Sequence, residues 1–387
     1  MTKPLKVLLA AIEPSGDALG ASLYKVLKKS LPDDTVFFGC GGMLMEQEGF
    51  SSSFPVDEFS IIGLTGFLKA IPEGVKRARE IGQLAASLQA DIGIYIDGWA
   101  FSWRAARYTK MYSPDTLTVK YAAPQIWASR PGRVERVKQH FDSVLTLLPF
   151  EPAWFRDAGI HAEFVGNPNF QTVYAQSMDG AGFREKYNLE GKSILVALPG
   201  SRKSEVSHLA PVYGDIFTAL ADRNSALSIV IPPAPNVASL VKDSFADHQD
   251  LITFIQPEER FDAFNAATAA LAASGTVTTE LAIAGTPMIV AYKTDPLTAF
   301  WAKSVVTTDY VTILNNAAGR EVIPEFLQED CTAELIAPVL EILLTDDTEQ
   351  TIQKKAFGQL LSDLDVDKEP AAEKAAEVIL SLLNERQ

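Results

Sequence analysis

The sequence predicts an α/β protein made of two doubly wound halves in tandem, and three observations carry that prediction. Short apolar runs, each the length of a buried parallel strand, alternate with amphipathic helical stretches along most of the chain. The alternation comes as two series, separated by a polar stretch from Asn167 to Gly191 that holds no strand-like run. The 387 residues suit two domains of ordinary size, and 47% hydrophobic with 21% charged residues can fill two cores.

The elements follow in order. Strands of the first series are expected at Lys6 to Ala11, Thr35 to Gly39, Ile92 to Ile96, Leu117 to Ala122, Ser143 to Leu147 and Glu163 to Gly166. Helical periodicity marks Ala18 to Lys29, Gly74 to Ser87 and Arg133 to His140 between them. The second series begins at Ser193 to Leu198 and continues through Leu227 to Ile231, Leu251 to Phe254, Ala269 to Ala272 and Met288 to Val290. Beyond about Thr332 the pattern turns wholly helical, with apolar positions Leu335, Val339, Ile342 and Leu343, then Leu360, Leu361 and Leu364, then Ala375, Val378, Ile379 and Leu382. These read as docking helices. The expected domains are residues 1–167 and 168–387, with terminal helices able to pack back on the first.

Charge and cysteine usage narrow the class. With 34 Lys+Arg against 49 Asp+Glu the net charge is −15, which argues against a basic nucleic-acid binder. Cys40 and Cys331 give no disulfide framework, and with four scattered histidines they offer no metal-ligand spacing, so neither metal nor cofactor is expected. A reducing, cytoplasmic setting fits. The apolar run before Glu13 is too short for a signal segment or a membrane span.

Strand ends carry the unusual residues. Strand one leads into Glu13-Pro14-Ser15-Gly16-Asp17, a tight turn opening a helix, where Ser15 or Asp17 can cap and Gly16 permits close approach of a ligand. A capped βα turn without a ligand accounts for the same residues. Gly39-Cys40-Gly41-Gly42 lacks the glycine spacing of a dinucleotide loop and reads as a tight turn. Asp97, straight after a buried strand and beside Gly98 and Trp99, suits either a general base or a helix N-cap. In Leu198-Pro199-Gly200-Ser201-Arg202, Gly200 and Ser201 offer backbone N–H groups and Arg202 a forked cation, a combination that suits a diphosphate. Ser274-Gly275-Thr276 is a second phosphate-binding turn, and Glu280 beyond it can take two vicinal ribose hydroxyls. Together these read as a nucleoside diphosphate site.

With Ile-Ile-Gly at 61–63, Ile-Asp at 96–97, Pro-Gln-Ile-Trp-Ala at 124–128, and Asn315 with Ala-Gly-Arg-Glu at 318–321, the series resembles the lipid-A-disaccharide synthases of glycosyltransferase family 19, in the same order over nearly the whole chain. The resemblance implies a GT-B fold, a UDP-sugar held chiefly by the C-terminal domain and an acceptor held by the N-terminal one. It implies that UDP-2,3-diacylglucosamine is joined, with inversion, to 2,3-diacylglucosamine 1-phosphate as a β-1,6 disaccharide, without a metal. Asp97 then matches the base and Arg202 the group that steadies the departing diphosphate. Ser274, Gly275 and Thr276 match the phosphate loop, Glu280 the ribose contact and Asn315 a nucleotide or sugar contact. Glu13, Ser15, Gly16, Asp17 and Trp127 fall on the acceptor side.

The segment from Ile61 to Val75, with Leu64, Phe67, Leu68 and Ile71, matches an apolar patch by which the family reaches acyl chains at the membrane, rimmed by Lys69, Lys76, Arg77 and Arg79. A helix buried in the core accounts for the same periodicity. The implied location is cytoplasmic, peripheral on the inner membrane. The sequence departs from the family pattern at Trp99, Ala100, Ser102, Ser129 and Asn167. A second reading therefore stays open, a divergent paralogue that binds UDP-sugar or lipid with another acceptor or no turnover. A third is another GT-B enzyme, such as a UDP-sugar epimerase.

Overall fold

The computed structural model describes residues 3–56, 64–128, 132–295, 298–299 and 308–386, with backbone alone over 64–71. It divides into two units, Met1–Pro168 with Lys368–Gln387, and Asn169–Asp367.

The first unit holds a parallel six-stranded sheet: β1 Lys6–Ala10, β2 Val36–Cys40, β3 Ile92–Ile96, β4 Leu117–Tyr121, β5 Ser143–Thr146 and β6 His161–Phe164. Its order is β2-β1-β3-β4-β5-β6, so the winding reverses between β1 and β3. Ligands of open α/β sheets bind outside the strand carboxyl ends at such a reversal. β3 and β4 are buried along their whole length, as expected of central strands covered on both faces. The helix Pro14–Ser30 starts with a proline at its first position and ends with Lys28 and Lys29. The last helix, Ala371–Asn384, buries Ala371, Ala375, Ile379 and Leu383, and its Ala375 and Ile379 share a core with Leu23 and Leu27 of Pro14–Ser30. Small residues on that face let the two backbones approach.

The second unit repeats the plan with β7 Ser193–Leu198, β8 Leu227–Ile231, β9 Ile252–Phe254, β10 Ala269–Ala272, β11 Met288–Tyr292 and β12 Glu325–Leu327. The order β12-β11-β10-β7-β8-β9 places its reversal between β7 and β10. That is the strand order of dinucleotide-binding folds.

Four differences from the sequence reading have physical causes. β12, three half-buried residues at a sheet edge, has no apolar run to announce it. β6 sits two residues before the expected Glu163 to Gly166, because His161 and Glu163 alternate with Ala162 and blur its pattern. The polar stretch after Asn167 holds two short helices, Pro168–Tyr174 and Gly180–Lys186. Leu335 and Ile342, expected as packing positions, are exposed on the helix Ala333–Thr345.

Candidate active site

Asp97 stands at the carboxyl end of β3, at the reversal of the first sheet. Its backbone is left-handed (φ 47°), a conformation that is sterically unfavourable for a non-glycine residue. Three bonds hold it there: its N–H donates to the Tyr121 carbonyl (2.9 Å), and its own carbonyl accepts from Ser102 Oγ (2.6 Å) and Lys120 Nζ (2.7 Å). The next helix, Trp99–Tyr112, is capped by Gly98 with no side-chain bond, so Asp97 is not the N-cap. Its carboxylate is half-buried and accepts from Ser15 Oγ at 2.5 Å. Glu13 joins it from the β1 turn, its Oε1 3.3 Å from where a Cβ on Gly98 would stand. Partial burial, and then the charge of Asp97, hold the Glu13 carboxyl above its ordinary range, against the pull of Lys120.

Lys120 is the residue that sequence reasoning missed. It is fully buried on β4 and donates to the carbonyls of Asp97 (2.7 Å), Tyr121 (3.0 Å) and Tyr95 (3.3 Å). Burial pushes its ammonium down to about 7, although Asp97 and Glu13 both favour the charged form. The signal was a lysine at the fourth position of an otherwise strand-like Leu-Thr-Val-Lys-Tyr run.

Three first-domain expectations are corrected. Asp17 caps neither its own helix nor a ligand: buried, it accepts from the N–H groups of Gly42 (2.9 Å), Leu44 (2.8 Å) and Met45 (3.1 Å), holding the next βα turn. Gly16 is small because a Cβ would lie 3.1 Å from the Ile96 carbonyl and 3.3 Å from Asp97 Cβ, so the close approach is to protein. Trp127 is buried, donating from Nε1 to Glu151 Oε1 (3.0 Å) and packing edge-on to Phe150. Glu151 is buried too and accepts from the Leu147 and Leu148 N–H groups; desolvation pushes it up to about 7.

In the second unit a cavity of about 580 Å³ opens at the reversal between β7 and β10. Gly200, Ser201, Arg202, Ser274, Gly275, Thr276 and Glu280 all line it. The turn after β10 suits an anion. Gly275 is at φ +139° with open space around it, and the N–H groups of Ser274, Gly275 and Thr276 have no acceptor among the described residues. The turn after β7 is different. Glu205 Oε2 already accepts from the N–H groups of Ser201 (3.0 Å) and Arg202 (3.2 Å), so of the two amides the sequence offered to phosphate, Gly200 and Ser201, the second is taken. Beside them stands the Arg202 guanidinium, largely exposed and tethered through Nη1 to Glu205 Oε1 (3.2 Å). Glu280 lies 3.7 Å from Arg260 Nε, and burial holds its carboxyl above the ordinary range.

Asn315 is corrected to a structural residue. It is fully buried and both ends of its amide are occupied: Nδ2 donates to Ile323 O and Glu325 Oε1 (2.8 Å each), and Oδ1 accepts from Val322 N (2.8 Å) and Ile323 N (2.9 Å). No hydrogen-bonding capacity is left for a nucleotide. The cavity also has a wall not foreseen, Pro232, Pro233 and Pro235 after β8 with Phe264, an apolar surface able to pack against a base. The Pro-Pro-Ala-Pro run at a strand carboxyl end was its signal. Among the described residues no group of three His, Cys, Asp or Glu side chains is arranged to hold a metal ion. The side chains of Leu64, Phe67, Leu68 and Ile71, and residues 61–63 and Ser129, lie outside the described residues.

The family model described as lipid-A-disaccharide synthetase matches residues 7–379. The lipid-A-disaccharide synthase of Ruegeria pomeroyi is 39% identical over 388 residues, covering 98% of this chain and 96% of that protein. The one from Nitrobacter hamburgensis is 37% identical over 381 residues, with the same coverage. Among solved structures, the S. aureus MnaA–UDP complex aligns with a TM-score of 0.63 at 14% identity, covering 98% of this chain and 97% of that one. UDP-GlcNAc 2-epimerase from Neisseria meningitidis bound to UDP-GlcNAc aligns at 0.58 and 12%, covering 98% of this chain and 100% of that one. These two likenesses are of fold.

Proposed function

The chain belongs to the lipid-A-disaccharide synthase family, and from that premise we infer that it is an inverting GT-B glycosyltransferase forming the lipid A disaccharide from a UDP-sugar. The donor is UDP-2,3-diacylglucosamine, the acceptor 2,3-diacylglucosamine 1-phosphate, and the products are the β-1,6 disaccharide 1-phosphate and UDP. The observation that carries this reading is the family match over residues 7–379, which takes in both sheet reversals. Full-length relatives of one name do not favour a paralogue without turnover.

Asp97 takes the proton from the acceptor 6-hydroxyl as that oxygen attacks the anomeric carbon, and the carbon–oxygen bond to the diphosphate breaks on the opposite face. Ser15 fixes the carboxylate rotamer, and Lys120 holds the strained backbone beneath it. The departing diphosphate carries its growing charge to Arg202 and to the amides of Ser274, Gly275 and Thr276, an electrostatic stabilisation that needs no other group. Glu280 receives the ribose hydroxyls, and the proline wall the base. Work takes place at the cytoplasmic face of the inner membrane, where the acyl chains of both substrates reside.

The test is incubation of purified protein with both lipids, followed by mass spectrometry. Disaccharide 1-phosphate is expected, with UDP released only when both substrates are present. Tight UDP binding without any disaccharide would put the paralogue reading in its place.

A further inference from the structure

A second cavity, of about 740 Å³, lies in the first unit and has no role in the chemistry above. Glu13 stands at one edge, and the rest of its lining includes Trp99, Trp103, Arg104, Arg133 and Arg136. The guanidinium carbons of Arg104 and Arg136 lie 4.5 Å and 4.9 Å from the centroid of the same indole, Trp103, and that of Arg133 lies 6.0 Å from Trp99. The molecule carries 49 acidic residues against 34 basic ones, yet no described carboxylate forms an ion pair with Arg104 or Arg136. Desolvation, and then the neighbouring charge of Arg136, hold the Arg104 guanidinium below its ordinary range. Like charges brought together without a counter-charge are unfavourable in the empty protein, and an arriving anion relieves that. A guanidinium lying over an aromatic face keeps its N–H edge available for a forked bond to phosphate, which a lysine cannot reproduce.

The cavity also has a place in the reaction. Trp99 and Ala100 follow Asp97-Gly98 directly, and Glu13 belongs both to this lining and to the Asp97 cluster. We propose that this cavity binds the phosphomonoester of the acceptor sugar, with Arg104 and Arg136 gripping the phosphate, Trp99 and Trp103 packing on the pyranose, and Glu13 accepting from the 4-hydroxyl, the neighbour of the carbon that carries the reacting hydroxymethyl group. The assignment rests on the reading of a phosphorylated sugar acceptor, but its test does not require turnover.

Glucosamine 1-phosphate, the soluble headgroup without acyl chains, is titrated calorimetrically into the full-length protein, with glucosamine as the control. The wild type is expected to bind the phosphate and not glucosamine. Arg136→Gln and Arg104→Gln should each weaken binding about tenfold or more, the loss of a charge-assisted bond. Arg136→Lys should recover only part of it, and UDP affinity should not change. Arg136 is exposed, so its variants keep the fold, which thermal melting verifies. In turnover the same variants should raise the acceptor KM and leave the donor KM alone. Failure of the wild type to bind, or undiminished, wild-type affinity in both glutamine variants, overturns the assignment. If the subsite fails while disaccharide still forms, the function stands and only the subsite falls. If headgroup binding holds and no disaccharide forms, the reverse is true.

Discussion

The strained backbone at Asp97 is held by side chains that the acceptor never needs to touch, and that separates two kinds of substitution. Asp97→Asn keeps every bond to the main chain and removes only the base, so kcat should fall by about 10²–10⁴ while UDP affinity, read by calorimetry, stays as it was. An active Asp97→Asn enzyme would take the base assignment away. Lys120→Met leaves the carboxylate and removes the clamp on the Asp97 carbonyl. Its signature lies in stability against pH. The unfolded lysine keeps its proton up to about 10.5, whereas the folded one releases it near 7, so between those values the unfolded state holds more protons and wild-type stability rises with pH. Denaturant midpoints across that window should show the rise in the wild type and its loss in Lys120→Met.

Strand–turn–helix units were legible wherever burial on both faces made an apolar run, as at Ile92–Ile96, Ser193–Leu198 and Ala269–Ala272, each found at its observed bounds. The site was legible as loops after those strands, because a sheet reversal places function at carboxyl ends whatever the side chains do. Partner choice within the loops was not legible. Asp17 and Asn315 look like ligand groups in sequence, and each is occupied by main-chain amides that only the fold brings within reach; Glu205, which the sequence did not single out, occupies the Ser201 amide in the same way. Glu205 Oε2 accepts from the Ser201 and Arg202 N–H groups and Oε1 from Arg202 Nη1, tying down the start of Lys203–Ala221. Glu205→Ala should therefore lower stability by about 1 kcal/mol, seen as a reduced denaturant midpoint. Trp127 and Glu151 form a comparable buried support in the first unit. The folded Glu151 holds its proton up to about 7 against 4.5 when unfolded, so between those values its contribution to stability falls as pH rises. Glu151→Gln should flatten that slope, and an unchanged slope would mean another group titrates there.

If the substrates are lipids, as proposed, this acidic enzyme faces a physical conflict, since a net charge of −15 is repelled by an anionic bilayer. The described basic residues beside the apolar segment reverse it only in part. Lys76 pairs with Glu73, and Arg77 with both Glu73 and Glu80, within their own helix, while Arg79 donates to the Tyr112 hydroxyl. Ion pairs so exposed contribute little to stability, but they offset part of the charge that would draw the surface to lipid, while Arg79 keeps its own. Among the described residues no helix is long and apolar enough to cross a membrane. On the proposed reading, membrane contact comes from apolar insertion by the segment containing Leu64, Phe67, Leu68 and Ile71, against a net electrostatic repulsion. A basic peripheral protein leaves anionic vesicles as salt rises; this one should do the opposite, because screening weakens the repulsion over a Debye length of about 8–10 Å at physiological salt. Sedimentation with vesicles of phosphatidylglycerol and phosphatidylethanolamine should therefore increase, or hold steady, from low to physiological salt. The double substitution Phe67→Glu with Leu68→Glu should abolish it at every salt concentration while UDP affinity is kept. Release of the wild type by salt would place the attraction in charge instead of apolar area, and would move the docking surface away from this segment.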